Sequence, residues 1–538
     1  TGAGNTVLGY GALKTNTTAS DNTAIGRDAL ELNETGAYNV AIGRDSLDAN
    51  TTGGSNVAVG NDALGGNTTG GYNIAIGRVA LAANTTANNN LAIGYNTLTS
   101  NTTGSENVAV GNYALDANTD AANNTAVGYN ALGANTTAGN NTAIGAYSLD
   151  ANTTGTQNVA LGQGALGANT TGNTNTAVGN YALDANTVGD RNVAVGYNAL
   201  TAYNPDSNED SYNTAVGYAA LEDNTTGKEN TAIGGIALLN NTTGIRNTAI
   251  GYSPLYTNTT GDSNTAVGIL ALYSNTTADN NIAVGRQALY ANTTGASNVA
   301  VGNYALEENT TGNYNVAIGY QAMEQNTTAS YNTAVGYHAL EENTTATGNT
   351  AVGYLSMAAN TEGHSNTALG KDSLKLNVDG DRNTALGYGA LNVANSPSDN
   401  TMVGYFAGVA ITTGSGNTAV GSYALDANTT GTYNTAIGYV SGGSVTTGSS
   451  NTYMGWGSGA ETTTGNYNVA IGNEALQKTT TGSSNVAIGL QALEESTTAN
   501  QNTAVGTYAL DANTTGSYNT ALGYLSLSGN TTGEQNTG

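Results

Sequence analysis

The fold class this sequence predicts is all-β: a β-solenoid of about 31 stacked seventeen-residue coils forming an elongated rod. A strict period and two apolar sites held in register with it predict this. The glycine closing each Asn-Thr-Ala-Val-Gly phrase falls at Gly9, Gly26, Gly43, Gly60, Gly77 and Gly94, and the register runs on to Gly196. It slips once, by four residues, between Gly196 and Gly217, then holds to Gly523. Each repeat is then one supersecondary unit and the array is the fold. The domain reading is a single continuous array over 1–538, with a loop insertion near 203–206 and atypical coils at 405–465.

Val, Ile or Leu precede the motif glycine (Ile25, Ile42, Val59, Ile76), and a second site, mostly Leu, follows five residues on (Leu30, Leu47, Leu64, Leu81). Polar low-complexity sequence does not keep such sites in register. Seventeen residues are too few for a helix pair, and Asn-Thr-Thr-Gly in every unit breaks helices. Thr-Ala-Val-Gly-Tyr reads as a strand, Ala-Leu as a turn or short second strand, and Asn-Thr-Thr-Gly as a further strand or corner. Stacked coils would pair strands at about 4.8 Å. One coil would bury two large aliphatics, less than its ordering costs, so the array folds only by stacking.

Alternation places Thr23 and Ile25 on one side of the strand, Ala24 and Gly26 on the other. The β-branched side reads as the core. The small side reads as packed closely against the far wall of the coil or, preferentially, against another chain. Asn22, Asn39, Asn56 and Asn73 suit corners, because Asn tolerates the left-handed conformation and caps its own turn. Stacked Asn and Thr side chains can also hydrogen-bond from coil to coil.

The insertion near Tyr203-Asn204-Pro205-Asp206 reads as a bulging loop or a partner-binding loop. Between 405 and 465 the leucine site becomes Gly408, Gly442 and Gly459, in a stretch holding Phe406, Tyr453 and Trp456. These three mark a repacked coil group and a candidate contact region.

Charge excludes several functions. The chain has 12 Lys+Arg against 38 Asp+Glu, a net charge of −26, which disfavours nucleic acid and anionic lipid as partners. There is no cysteine, and no apolar run approaches the roughly 20 residues that span a bilayer. Thr1 and Gly538 both fall inside a repeat, so the chain is expected to be a segment of a longer polypeptide whose export signal and anchor lie elsewhere.

Catalytic and cofactor chemistry find no constellation. Gly162-Gln163-Gly164-Ala165-Leu166-Gly167 matches a dinucleotide-binding spacing, but it is one repeat with Gly at two variable sites and no strand–helix unit around it. His338 and His364 read as solvent-facing. Acidic residues after the leucine (Glu31, Asp48, Asp116, Asp150, Glu222, Glu307, Asp426, Asp511) read as a solvated stripe or as weak Ca²⁺ sites. No cofactor, metal or catalytic residue is assigned.

Asn-Thr-Thr is also a glycosylation sequon, making Asn16, Asn50, Asn67, Asn84, Asn101, Asn135, Asn258 and Asn309 candidate acceptors. Glycans on successive coils would crowd at about 4.8 Å, so a structural ladder is the preferred reading. Threonine rows such as Thr51-Thr52, Thr68-Thr69 and Thr85-Thr86 could bind ice or a glycan surface if they formed an exposed flat strand. The tyrosines, 32 in number, can stack on sugars or on each other.

The phrases Asn-Thr-Ala-Ile-Gly-Tyr and Ala-Leu-x-x-Asn-Thr-Thr-Gly resemble the repeat regions of bacterial and phage tail-fibre-like proteins. More distantly they are similar to the heads of trimeric autotransporter adhesins, whose coils carry a Val-Ala-Ile-Gly phrase. The resemblance covers essentially the whole chain. It implies a β-roll or β-solenoid, commonly trimeric, displayed outside the cell or on a virion. The expected partners are further copies of the chain, as a homotrimer or packed filament, together with glycans or cell surfaces. Nothing in this segment is expected to insert in a membrane.

Overall fold

The computed structural model describes residues 2–538 and divides into two compact units, Thr1–Val267 and Gly268–Gly538. The described residues contain no helix. Their regular elements are three-residue strands, sixteen from Thr6–Leu8 to Thr265–Val267 in the first unit and fifteen from Ile282–Val284 to Thr520–Leu522 in the second. Each unit is a parallel β-solenoid of seventeen-residue coils. Strand Thr23–Ile25 pairs in parallel with Val40–Ile42, Ala24 opposite Ala41; in the second unit Val486–Ile488 pairs likewise with Thr503–Val505.

The strand is shorter than the sequence suggests, because its glycine turns the chain. Gly26 has φ +140° and Gly43 the same. A Cβ on Gly26 would collide with the Gly43 carbonyl oxygen of the next coil. Ala-Leu forms a turn and Asn-Thr-Thr-Gly a bend, so neither is a second strand. Hydrogen bonds between coils continue through these walls all the same. Leu30 N donates to Ser46 O at 3.0 Å, Leu32 N to Asp48 O at 2.9 Å, and Tyr38 N to Ser20 O at 3.2 Å.

Three further residues per coil make the corners in the left-handed region: Asp28 (φ 59°), Leu30 (φ 52°) and Tyr38 (φ 62°) in the second coil. Aspartate takes this conformation readily; leucine and tyrosine adopt it at a cost of about 1–3 kcal/mol each. Tertiary contacts impose it: the leucine side chain is fully buried while its N–H reaches the next coil.

The core corrects the expectation about the strand's two faces. Ala24, Ala41 and Ala58 are fully buried, whereas Thr23 and Ile25 are only half-buried and Ile42 and Ile76 are 38% and 39% exposed. The β-branched side faces outward. The small side faces inward, against the far wall of its own coil, and is closed to any other chain. In the third coil the fully buried side chains are Asn39, Ala41, Ser46, Leu47 and Asn50. Just one large aliphatic is inside, and a coil this narrow leaves room for nothing bigger than alanine opposite it.

Volume compensation at the atypical coils demonstrates that packing. Met402 replaces the strand alanine where the leucine site is Gly408, and a Cβ on Gly408 would lie 2.6 Å from Met402 Sδ. Tyr453 replaces the strand alanine where two successive leucine sites are Gly442 and Gly459. A Cβ on Gly442 would lie 2.9 Å from Tyr453 Cδ2, and one on Gly459 would collide with the other edge of that ring. The total volume is kept while the residues exchange roles.

At the insertion, Tyr203 is fully buried in the position that Asn holds in neighbouring coils, and burial pushes its hydroxyl pKa up to about 12. Asp206 to Asp210 form an exposed loop tied down by the ion pairs Arg191–Asp210 and Lys228–Glu209. Register is recovered at once, with Val193 paired to Thr214.

Candidate functional site

Three longitudinal features distinguish the surface from the repeating core: the outer face of the strands, columns of aromatic rings, and a column of carboxylates. Each arises because identical coil positions are superposed.

Two asparagine ladders underlie them. Asn50 Nδ2 donates to Asn33 Oδ1 at 2.7 Å and to Gly53 O at 2.9 Å; Asn67 Nδ2 repeats this on Asn50 Oδ1 at 2.8 Å. The same arrangement holds Asn84, Asn101, Asn135, Asn258 and Asn309. These seven candidate glycosylation sites are fully buried, and Asn16 is half-buried with its Nδ2 on Ala19 O at 3.2 Å. The nitrogen that would carry a sugar is the ladder donor. In the folded coil these residues are structural, and acceptor chemistry at the seven buried sites does not go with that placement.

Threonine behaves similarly. Thr51 Oγ1 donates to Thr68 O and Thr68 Oγ1 to Thr85 O, both at 3.0 Å. The second threonine of each pair, Thr52 or Thr69, is exposed, but the pair lies in a bend. The flat strand that an ice-binding row requires is not formed there.

The three residues of the candidate contact region are separated. Tyr453 is inside the coil, Phe406 is half-buried against Tyr405 at a centroid distance of 4.4 Å, and Trp456 is 49% exposed. Tyr453 is withdrawn from the surface because the two glycines beneath it demand its volume.

Tyrosines after the motif glycine stack on each other. Tyr320, Tyr337 and Tyr354 form a parallel run at 5.5 and 5.3 Å, and Tyr95, Tyr113, Tyr129 and Tyr147 an edge-to-face chain at 5.4–5.9 Å. His338 joins the first run, 4.0 Å from the Tyr337 centroid, with Nδ1 2.6 Å from Glu341. It is therefore packed between ring and carboxylate rather than solvent-facing; His364 is exposed.

The carboxylates after the leucine are half-buried, which a solvated stripe would not be. Burial, with the Asp62 and Asp45 charges adding to it, pushes Asp48 up to about 6. Burial likewise raises Asp116, Asp150, Asp184 and Asp426. No group of three or more His, Cys, Asp and Glu among the described residues is arranged to hold a metal ion. No helix among them is long and apolar enough to cross a membrane.

The outer strand face is the most extensive of these features. Its two positions are Thr, Val, Ile, Leu or Met in every coil, never charged. Ile74, Val159, Leu161 and Ile233 are each between 38% and 44% exposed. Sequence reasoning missed it by assigning these side chains to the interior. The absence of any charged residue at both positions was the available signal.

The fold defines the class of protein as a tandem-repeat β-solenoid. The chain matches no family model and no curated protein.

Proposed function

We propose that this chain is a structural segment of an extracellular fibre or adhesin that associates with further copies of itself and performs no catalysis. The supporting observation is the largely β-branched outer face of the strand ladder, uncharged throughout each unit on a chain of net charge −26. Like-charged chains repel elsewhere; on this face they do not. In the first unit, sixteen three-residue strands at about 4.8 Å spacing and about 10 Å length present roughly 770 Å² per chain. Two such faces bury about 1,500 Å², the size of a stable protein interface. Both partners carry the same rise, so side chains of one ladder fit between those of the other. The extracellular placement rests on the resemblance of the repeat phrases to tail-fibre and adhesin repeats.

Sedimentation of the full chain tests the association. The wild type is expected to sediment as a multiple of its 53.7 kDa mass, and the triple variant Ile42→Lys, Ile74→Lys, Ile76→Lys as a smaller species with unchanged circular dichroism. A wild type that stays monomeric at micromolar concentration overturns self-association.

A second reading, binding to glycan surfaces, is favoured by the exposed tyrosines, among them Tyr72, Tyr433 and Tyr467, at 68–71% exposure.

A further inference from the structure

The column two residues after the motif glycine reads Tyr147, Gly164, Tyr181 in three successive coils, and nowhere else in the chain does that column set Gly between two tyrosines. The edge-to-face chain of rings ends at Tyr147 and resumes with Tyr181 and Tyr197, 6.5 Å apart. Between them lies a cavity of about 350 Å³, within the roughly 300–1,000 Å³ of small-molecule sites. The coils that carry the two tyrosines are two spacings apart, about 9.6 Å, and the Tyr181 ring leans from its coil toward Gly164.

Two carboxylates converge on the same gap. Asp150 and Asp184 follow the leucine in the outer coils, with Gly167 between them. A Cβ on Gly167 would lie 2.7 Å from Asp184 Oδ1 and 3.5 Å from Asp150 Oδ1. One on Gly164 would lie 3.0 Å from Tyr181 Cδ1. The equivalent volume two coils before Gly167 is taken up, since a Cβ on Gly133 would meet Asn130 Oδ1 at 2.5 Å. Gly164 and Gly167 together leave a slot with aromatic ends and acidic sides. Gln163 stands at its rim.

The geometry points to a saccharide-binding slot that takes one pyranose ring of a glycan, its C–H face on Tyr147 or Tyr181 and its hydroxyls donating to Asp150 and Asp184. Rings with an apolar face and a polar tip suit such ligands. Anionic sugars are disfavoured by the two carboxylates and by the net charge of −26. A simple organic cation would satisfy the carboxylates but leave the Gln163 amide N–H and the tyrosine hydroxyls unused. Sugar hydroxyls both donate and accept, so they engage all of these groups. The slot belongs to a single chain and does not depend on the self-association proposed above.

The repeat supplies its own control. Tyr147 and Tyr181 both have φ 57°, and Gly164 has φ 62°, so Gly164→Tyr places in the slot a residue that the fold already accepts on either side. Saturation-transfer difference NMR on the full chain, with methyl glucoside, methyl galactoside and N-acetylglucosamine, reads binding directly, and tetramethylammonium serves as the cation probe. At least one pyranose is expected to receive saturation. The signal should fall at least fivefold in Gly164→Tyr and in the double variant Asp150→Asn, Asp184→Asn, with circular dichroism and sedimentation unchanged. Saturation of none of the three sugars, an equal signal in Gly164→Tyr, or transfer to tetramethylammonium alone would each overturn the assignment.

Discussion

Asn39 and Asn50, eleven residues apart and on different walls of the third coil, donate their side-chain Nδ2 atoms to one carbonyl, that of Gly53, both at 2.9 Å. The coil is thus braced across its interior by polar groups. Each asparagine also binds the coil before it, Asn39 through its N–H on Asn22 Oδ1 and Asn50 through Nδ2 on Asn33 Oδ1. With at most one leucine inside per coil, these ladders supply bracing that apolar packing supplies in larger domains, and the links at Asn39 and Asn50 are buried and satisfied.

Removing one rung should therefore be costly. Asn50→Val leaves Asn33 Oδ1 unpaired and takes from Asn67 Nδ2 one of its two acceptors, Gly70 O remaining, at about 1–3 kcal/mol for the buried oxygen left without a partner. Hydrogen exchange is the suitable measurement, because an array need not unfold as one unit. Amides of residues 33–67 should lose protection while those beyond residue 100 keep theirs. Uniform protection would show the ladder to be dispensable.

Tyr453→Ala should open a cavity, since Gly442 and Gly459 have no side chains to close it, and destabilise the second unit by about 3–5 kcal/mol. Adding Gly442→Leu and Gly459→Leu to that variant restores the usual coil and should recover most of the loss. Leucine occupies the left-handed position at Leu425 (φ 51°) already. Failure of the triple variant to recover stability in denaturant titrations would refute volume exchange as the reason for the atypical coils.

Substitution of a motif glycine should be far worse than substitution of a variable one. Gly60 has φ +141°, and a Cβ there would collide with the Gly77 carbonyl oxygen. Gly60→Ala should cost about 3 kcal/mol or more at that coil, detectable as local proteolysis. Gly164→Tyr, at a position tyrosine fills elsewhere, should leave the cleavage pattern unchanged.

Acid should stabilise the first unit before it harms it. Asp48 titrates at about 6 when folded against an ordinary 3.8, so the folded chain binds its proton more tightly than the unfolded one. Stability then rises as pH falls from above 6 towards 4, and the gain is complete below the unfolded value. Asp62, Asp116, Asp150 and Asp184 act in the same direction. Glu209, held low by Lys228, opposes them, though it is fully exposed. Thermal melts at pH 7.5 and 5 should show the higher midpoint at pH 5, with Asp48→Asn reducing the difference. A lower midpoint at pH 5 would contradict the burial of this column.

Much of the coil was legible in the residues. Stacking follows from the period, and Thr-Ala-Val marks the strand. Asn22 and Asn39 announce ladders because Asn serves both as a corner and as a self-complementary hydrogen bonder. Other features left no such mark. Leu30 in the left-handed region contradicts its own preference, and Tyr453 in the core looks like any surface aromatic until its two glycine neighbours are superposed on it.

By itself the sequence determined that seventeen-residue units repeat, that they pair in register, and which polar residues run between them. Only the tertiary structure decided which side of the strand lies within. Alternation along three residues separates two faces without naming either, and hydrophobicity alone chooses the β-branched one. The cross-section of a seventeen-residue coil reverses that choice. Leu30 enters from the opposite wall and leaves space only for Ala24, so Ile25 is turned outward, where the chain meets its surroundings.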